Sequence, residues 1–229
     1  PYDVVRVGDT YGSVFELLKA GSFAKIAANH PERLDELTRE FVKLMKQIHS
    51  TEVKPGDMPS MKNVAQNWAK DIRGQLPEDK QAKLERMLEE IPDCHTMLHG
   101  DYHFKNVMEQ NGEILLVDMD TLCQGHPIFE FASTYLGFVG FGAIDPDVTY
   151  PFMGLPYETT CRIWNKVLDL YFEGESDETR KAVESKARII AYVRLLRRTL
   201  RREPENVKRL AFCKDNLNVL LDTVSSLTF

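Results

Sequence analysis

Between Thr96 and Ala132 the chain reads T-M-L-H-G-D-Y-H-F-K-N-V-M-E-Q-N-G-E-I-L-L-V-D-M-D-T-L-C-Q-G-H-P-I-F-E-F-A. Polar groups crowd here between short apolar runs. Met97-Leu98 reads as a strand-like entry. Val107-Met108 and Ile114 to Val117 read as a strand pair, turned by Asn111-Gly112, the pair of residues that the tight hairpin turn favours. Such a hairpin returns Asp118 to the neighbourhood of Asn106. An amide oxygen and a carboxylate then converge, a donor set suited to a hard cation such as Mg²⁺. Mg²⁺ held by one or two protein oxygens commonly takes phosphate oxygens as further ligands. Asp101, at the start of the loop, is placed to orient a hydroxyl or accept its proton.

Outward from this stretch the pattern is mostly helical. Residues 2–7 and 11–17 are β-rich, with Gly8-Asp9-Thr10 supplying the turn of a hairpin. Ser22 is a helix cap for a short helix through Ala28. His30-Pro31 opens a longer one to about Ser50, with Leu34, Leu37, Phe41, Leu44, Met45 and Ile48 on one face. Pro55-Gly56 and Pro59 mark a loop, and Met61 to Ile72 and Pro77 to Ile91 read as helices. After Gly125-His126-Pro127 the helical period returns from Ile128 to about Phe138. A Gly/Pro-rich loop to Pro156 is expected next. Three helices, about 156–173, 177–201 and 205–225, close the chain, with Pro156 and Pro204 at N1-like positions and Ser176 as a cap. The expected class is α+β, mostly α, with a small β-insert carrying the polar loop.

Composition narrows the chemistry. The 229 residues carry a net charge of -6, with 43% apolar and 28% charged side chains. That balance argues against bulk affinity for nucleic acid or an anionic membrane surface. Four separated cysteines without a CxxC read as reduced thiols of a cytoplasmic protein. No signal peptide and no apolar run of membrane-spanning length is visible, so no membrane partner is expected.

H-G-D-Y-H-F-K-N followed by L-V-D resembles the HxDxxxxN motif and later metal-binding Asp of the aminoglycoside phosphotransferase/choline kinase group, which shares the protein-kinase-like fold. V-F-E-L-L at 14–18 resembles its last N-lobe strand and hinge. L-M-K-Q-I-H at 44–49 resembles the end of its next long helix. G-H-P-I-F-E-F-A at 125–132 resembles its G-x-P-x-x-D-L-A segment, with Glu130 where Asp is usual. The resemblance implies residues 1–20 as the end of the N-lobe and the hinge, and 21–229 as the helical C-lobe. It implies ATP and Mg²⁺, and a small hydroxyl-bearing acceptor. Asp101 would be the catalytic base, Asn106 and Asp118 the metal ligands, and His99 a brace of the catalytic loop. His103 would lie near the γ-phosphate, and Glu16 and Leu18 would offer backbone groups to adenine. The phosphate-covering loop, strand lysine and helix glutamate of that group are not found in these residues. The chain therefore reads as hinge plus C-lobe of a longer kinase, and a non-catalytic, pseudokinase-like binding module is the alternative.

Other residues admit plainer readings. His95, His99 and His103 recur every four residues beside Cys94, but Pro92 and Gly100 oppose the helix that a zinc site or a metallohydrolase would need. Tyr11-Gly12-Ser13-Val14 resembles the end of a kinase Gly-rich loop, but lacks a lysine on a following strand. Asp120 reads either as a further metal ligand or as a solvated loop carboxylate. Glu130 reads as a charge at a helix N-terminus, or by resemblance as support for the catalytic loop. Arg194, Arg197, Arg198, Arg201 and Arg202 read as a solvated helix end, with an anionic partner as the alternative. Trp68 and Trp164 are expected in the core. Asp145, Asp147, Tyr150 and Tyr157 are candidates for an acceptor pocket on the expected loop.

Overall fold

The long amphipathic helix near the N-terminus sets the core. In the computed structural model, which describes residues 2–229, α2 (Leu34–Ser50) buries Leu37, Phe41, Met45 and Ile48 along one face. Asp35 and Glu36 in its first turn suit the positive end of the helix dipole. The Phe41 ring stacks on Tyr102 at 4.2 Å and meets Phe104 and Phe138 edge-on at 5.1 and 5.8 Å. The Tyr102 hydroxyl donates to the Phe41 carbonyl at 2.8 Å. The polar stretch is thereby nailed to the core by the aromatic residues interleaved in it.

Ahead of α2 come the hairpin β1 (Asp3–Val7) and β2 (Thr10–Val14), the short strand β3 (Gly21–Ser22) and α1 (Phe23–Asn29). After it come α3 (Met61–Asp71) and α4 (Glu78–Glu89), then β4 (Met97–Leu98), β5 (Val107–Gln110), β6 (Glu113–Leu116) and β7 (Cys123–Gln124). Three small antiparallel sheets result: β1-β2, β3-β5-β6 and β4-β7. The β5–β6 register pairs Gln110 with Glu113, and Asn111 and Gly112 both take positive φ (53° and 82°), as the tight turn requires. The chain ends in α5 (Ile128–Tyr135), α6 (Phe141–Ile144), α7 (Thr149–Met153), α8 (Tyr157–Tyr171), α9 (Asp177–Arg202) and α10 (Val207–Thr223). The 26-residue α9 runs through the middle of this group, packed on α5 and α10. Ser22, Ser60, Ser176 and Asn206 each cap a helix through the backbone N–H three residues on.

The mostly helical α+β class is as expected, with several local corrections. The loop expected between Phe138 and Pro156 is largely helical. A π-helical turn over Leu136–Gly140 joins α5 to α6, and a 3-10 turn over Pro146–Val148 leads into α7. Two glycines in or beside this segment serve close packing. A Cβ on Gly142 would lie 2.2 Å from the Tyr157 ring, and one on Gly137 would lie 3.2 Å from the His103 Cβ. β2 stops at Val14, where the ladder with β1 ends, so residues 15–17 are not strand. Strands β3 and β7, two residues each, are too short to show a period. Pro156 is the cap of α8 rather than its first residue, and Asn206 caps α10, leaving Pro204 outside the helix. Trp164 is core as expected, whereas Trp68 is half-buried, with the Arg194 guanidinium 5.6 Å from its ring centre. Among the described residues no helix is long and apolar enough to cross a membrane.

Phe41 is fully buried at the junction of α2 and the polar loop. Phe41→Ala is expected to lower the unfolding free energy by about 3–5 kcal/mol in urea titrations. A loss below about 1 kcal/mol would show that this aromatic cluster does not organise the core.

Candidate active site

The site is built on the loop between β4 and β5. Gly100 takes φ +82°, and a Cβ there would lie 2.4 Å from the Thr121 carbonyl oxygen, so a side chain is excluded. Five side chains from other elements hold the loop backbone. Glu130 of α5 accepts from the His99 N–H at 2.6 Å through Oε2 and from the Gly100 N–H at 3.0 Å through Oε1. Ser133 Oγ and Arg194 Nη1 each donate to the Gly100 carbonyl at 3.1 Å. Thr121 donates to the His99 carbonyl at 2.7 Å, and Thr134 to that of Tyr102 at 3.0 Å.

His99 is fully buried, and both of its ring nitrogens are engaged. Nε2 donates to the Val117 carbonyl at 3.0 Å and Nδ1 accepts from the Asp101 N–H at 3.4 Å. Burial pushes its pKa down, so the ring is the neutral Nε2–H tautomer. It ties the loop to the end of β6, which leaves no free nitrogen for chemistry.

Asp101 is half-buried, its Oδ2 3.5 Å from His103 Nε2 and its Oδ1 3.6 Å from Arg194 Nη2. Burial works to raise this carboxyl, but the hydrogen bond with His103 and the charge of Arg194 outweigh it and hold the pKa below the usual carboxylate range. His103 itself is buried, edge-on to Phe152 at 5.4 Å.

Asn106 Nδ2 donates to the Asp101 carbonyl at 2.9 Å, which turns Oδ1 away from the loop. The Asn106 carbonyl accepts from the Val117 N–H at 3.1 Å. That bond sets Asp118, the next residue, beside Asn106 at the open end of the hairpin. Asp118 is exposed and takes the left-handed conformation, φ 59° and ψ 53°. A non-glycine residue held there stores about 1–3 kcal/mol of strain, a pattern frequent at functional sites. The pair offers two hard oxygens, which fit Mg²⁺. Among the described residues no group of three His, Cys, Asp or Glu side chains is placed to hold a metal ion.

The sequence-predicted residues are divided between two recesses. A cleft of about 770 Å³ is lined by Glu16, Leu18 and Asp118, with Phe15, Leu116 and Asp120 among its other walls. Asp101 and His103 line a smaller recess with Ser133, Phe152, Arg194 and Arg198. Asn106 and His99 are buried and line neither. The exposed Asp120 sits in the 3-10 turn after Asp118.

One expectation requires correction. The arginine-rich end of α9 is not a uniformly solvated face: Arg194 reaches the Gly100 carbonyl and Asp101, and Arg197 pairs with Asp71. The available signal was its position, since Arg194 interrupts the apolar run Ile189 to Leu196, where an outward-facing residue would not fall. Of the two readings of Glu130, support of the loop is the one that holds: it is wholly buried and accepts from two N–H groups of that loop. Of the acceptor-pocket candidates, Asp145 instead caps its own turn through the Asp147 N–H at 3.2 Å, and Tyr150 is 65% exposed.

The model of the phosphotransferase enzyme family (APH) matches residues 2–151, a span that holds Asp101, Asn106 and Asp118. The chain belongs to this family. Among solved structures, this phosphotransferase-family chain is similar to the apo form of a thermostable mutant of aminoglycoside phosphotransferase APH(4)-Ia. That likeness has a TM-score of 0.60 at 14% identity over 96% of this chain and 75% of the other. A thermostable mutant of the same enzyme in ternary complex with AMP-PNP and hygromycin B matches with a TM-score of 0.55 at 15% identity, over 89% and 70%. At such identities the likeness is one of fold, and the fold is the kinase-like one. No curated protein matches the chain.

Burial pushes the Glu130 carboxyl up to about 7, against two backbone N–H donors that favour its ionised form. A carboxyl whose folded pKa is raised adds stability at low pH and loses it as pH rises through the folded value. Relative to Glu130→Gln, the wild-type protein should therefore lose stability between its ordinary value of 4.5 and about 7. Urea midpoints measured across that range check this, and parallel curves for the two proteins would contradict it.

Proposed function

We propose that this family member transfers the γ-phosphate of ATP, with Mg²⁺, to a hydroxyl group of a small-molecule acceptor. The observation that carries the reading is the division of labour across one loop: Asp101 faces one recess and Asp118 the other, with Asn106 bonded to both neighbourhoods. The nucleotide would occupy the larger cleft, with adenine against the backbone of Glu16 and Leu18. Asn106 Oδ1 and the Asp118 carboxylate would hold Mg²⁺. When bound, that ion supplies neutralisation of charge developing on the phosphate oxygens.

The chain's own residues account for the remaining steps. Asp101, kept ionised by His103 and Arg194, hydrogen-bonds the acceptor hydroxyl and aims its oxygen at the γ-phosphorus. As the new P–O bond forms and the bond to the β-phosphate oxygen breaks, the hydroxyl proton passes to the Asp101 carboxylate and ADP departs. His103 holds the Asp101 carboxylate in register, and His99 and Glu130 fix the loop that presents it. Positioning is the main contribution an enzyme makes to this chemistry. An intact set of such residues supports an enzyme over a pseudokinase-like binding module. Four free cysteines suit a reducing compartment, and we read the protein as cytoplasmic.

Asp101→Asn is expected to lower kcat at least about a hundredfold for an acceptor found by screening hydroxyl compounds for ADP release, with nucleotide binding retained. Asp118→Ala should abolish the Mg²⁺-dependence of ADP binding, read by titration calorimetry with and without the ion. Unchanged turnover in the first variant, or unchanged Mg²⁺-dependence in the second, overturns the assignment.

A further inference from the structure

Two recesses adjoin on the Asp101 side of the loop. They have volumes of about 110 and 220 Å³ and share Gly137, Phe141, Phe152 and Arg198 as walls. Arg194 completes the first and Arg209 the second. Lys105 Nζ lies 4.8 Å from the centre of the Phe152 ring, adding a fourth cation at the edge. Among the described residues Asp101 is the one carboxylate that lines either recess. Arg194 is partly committed to Asp101 at 3.6 Å, and Arg209 is paired with Glu203 at 2.7 Å. Among the described residues no carboxylate lies within ion-pair reach of Arg198, which stands where the two recesses meet.

We propose that the acceptor is a small hydroxyl compound bearing an anionic group, carboxylate or phosphate, on a flat apolar body, with Arg198 as the anion's principal partner. The identification rests on the phosphotransfer reading for the role of Asp101. The charge pattern favours it on its own terms. Arg198 is exposed at the mouth shared by the recesses, and a guanidinium presents paired donors that match carboxylate and phosphate oxygens. Phe141 and Phe152 line both recesses and give an apolar body surface to pack on. A polycation of the aminoglycoside type would meet like charges from Arg198, Arg209 and Lys105, with Asp101 alone to attract it. The modest volumes also suit a single ring better than an oligosaccharide.

The test titrates four matched benzyl alcohols into the intact protein saturated with Mg²⁺ and ADP. Three carry a para substituent: carboxylate, phosphate or aminomethyl; the fourth is unsubstituted. The carboxylate or the phosphate compound should bind at least about tenfold tighter than the aminomethyl one. The stronger of the two anions identifies the group recognised. Arg198→Gln should remove most of that preference and leave the affinity for plain benzyl alcohol unchanged, with the thermal midpoint reporting an intact fold. Equal or tighter binding of the aminomethyl compound, a preference that survives Arg198→Gln, or no binding by either anion overturns the proposal. A failure of ADP itself to bind would instead count against the phosphotransfer reading, and the same titrations run without nucleotide would still decide the charge preference.

Discussion

A buried carboxylate clasping two backbone N–H groups is the constraint on which the rest of the structure depends. Glu130 leaves α5 inside the core and fixes His99 and Gly100. An isolated carboxylate in such a place would be costly, and the two N–H donors offset much of that cost. The geometry is possible because Gly100 adopts a backbone conformation closed to residues with a Cβ at this spot. Arg194, Ser133 and Thr121 then take the carbonyls of the same two residues, so both faces of the loop backbone are spoken for. Rigid placement follows, and Asp101 emerges from the held segment with a defined direction.

The same loop also decides what lies on each side of it. Tyr102 and Phe104 turn into the aromatic cluster around Phe41, which anchors the loop to α2. Asn106, at the loop's end, bonds back to Asp101 and forward to Val117, so the loop and the β5–β6 hairpin move as one unit. A nucleotide cleft and an acceptor recess separated by a unit this stiff would keep donor and acceptor in line without demanding much reorganisation on binding. The left-handed Asp118 fits this picture: strain is stored where an oxygen must be presented outward from a strand end.

Much of this was legible in the chain itself. The polar residues between short apolar runs, with Asn111-Gly112 as turn, placed Asn106 near Asp118 before any coordinates, and the helical period located most of the helices. What stayed hidden depended on long-range contacts. Two-residue strands such as β7 have no period. Gly142 falls in the stretch expected as a loop, and only the approach of Tyr157 shows why it is a glycine within helical structure. Arg194 belongs to a run of like charges whose bland reading is solvent, and its reach to Gly100 spans 94 residues of sequence. The recess on the Asp101 side is assembled from the β4–β5 loop, α5, the π-helical turn, α6, α7, α9 and α10, so no local motif announces it.

The central claim is that one loop-and-hairpin unit presents Asn106 and Asp118 to a metal on the nucleotide side and Asp101 to a hydroxyl on the other. The most direct measurement is a crystal structure with Mg²⁺ and AMP-PNP bound. The account predicts an ion about 2.0–2.1 Å from Asn106 Oδ1 and an Asp118 carboxylate oxygen, with phosphate oxygens completing its shell. It predicts the γ-phosphate on the Asp101 side of that ion. A nucleotide seated elsewhere, or a metal bound without either residue, would contradict it.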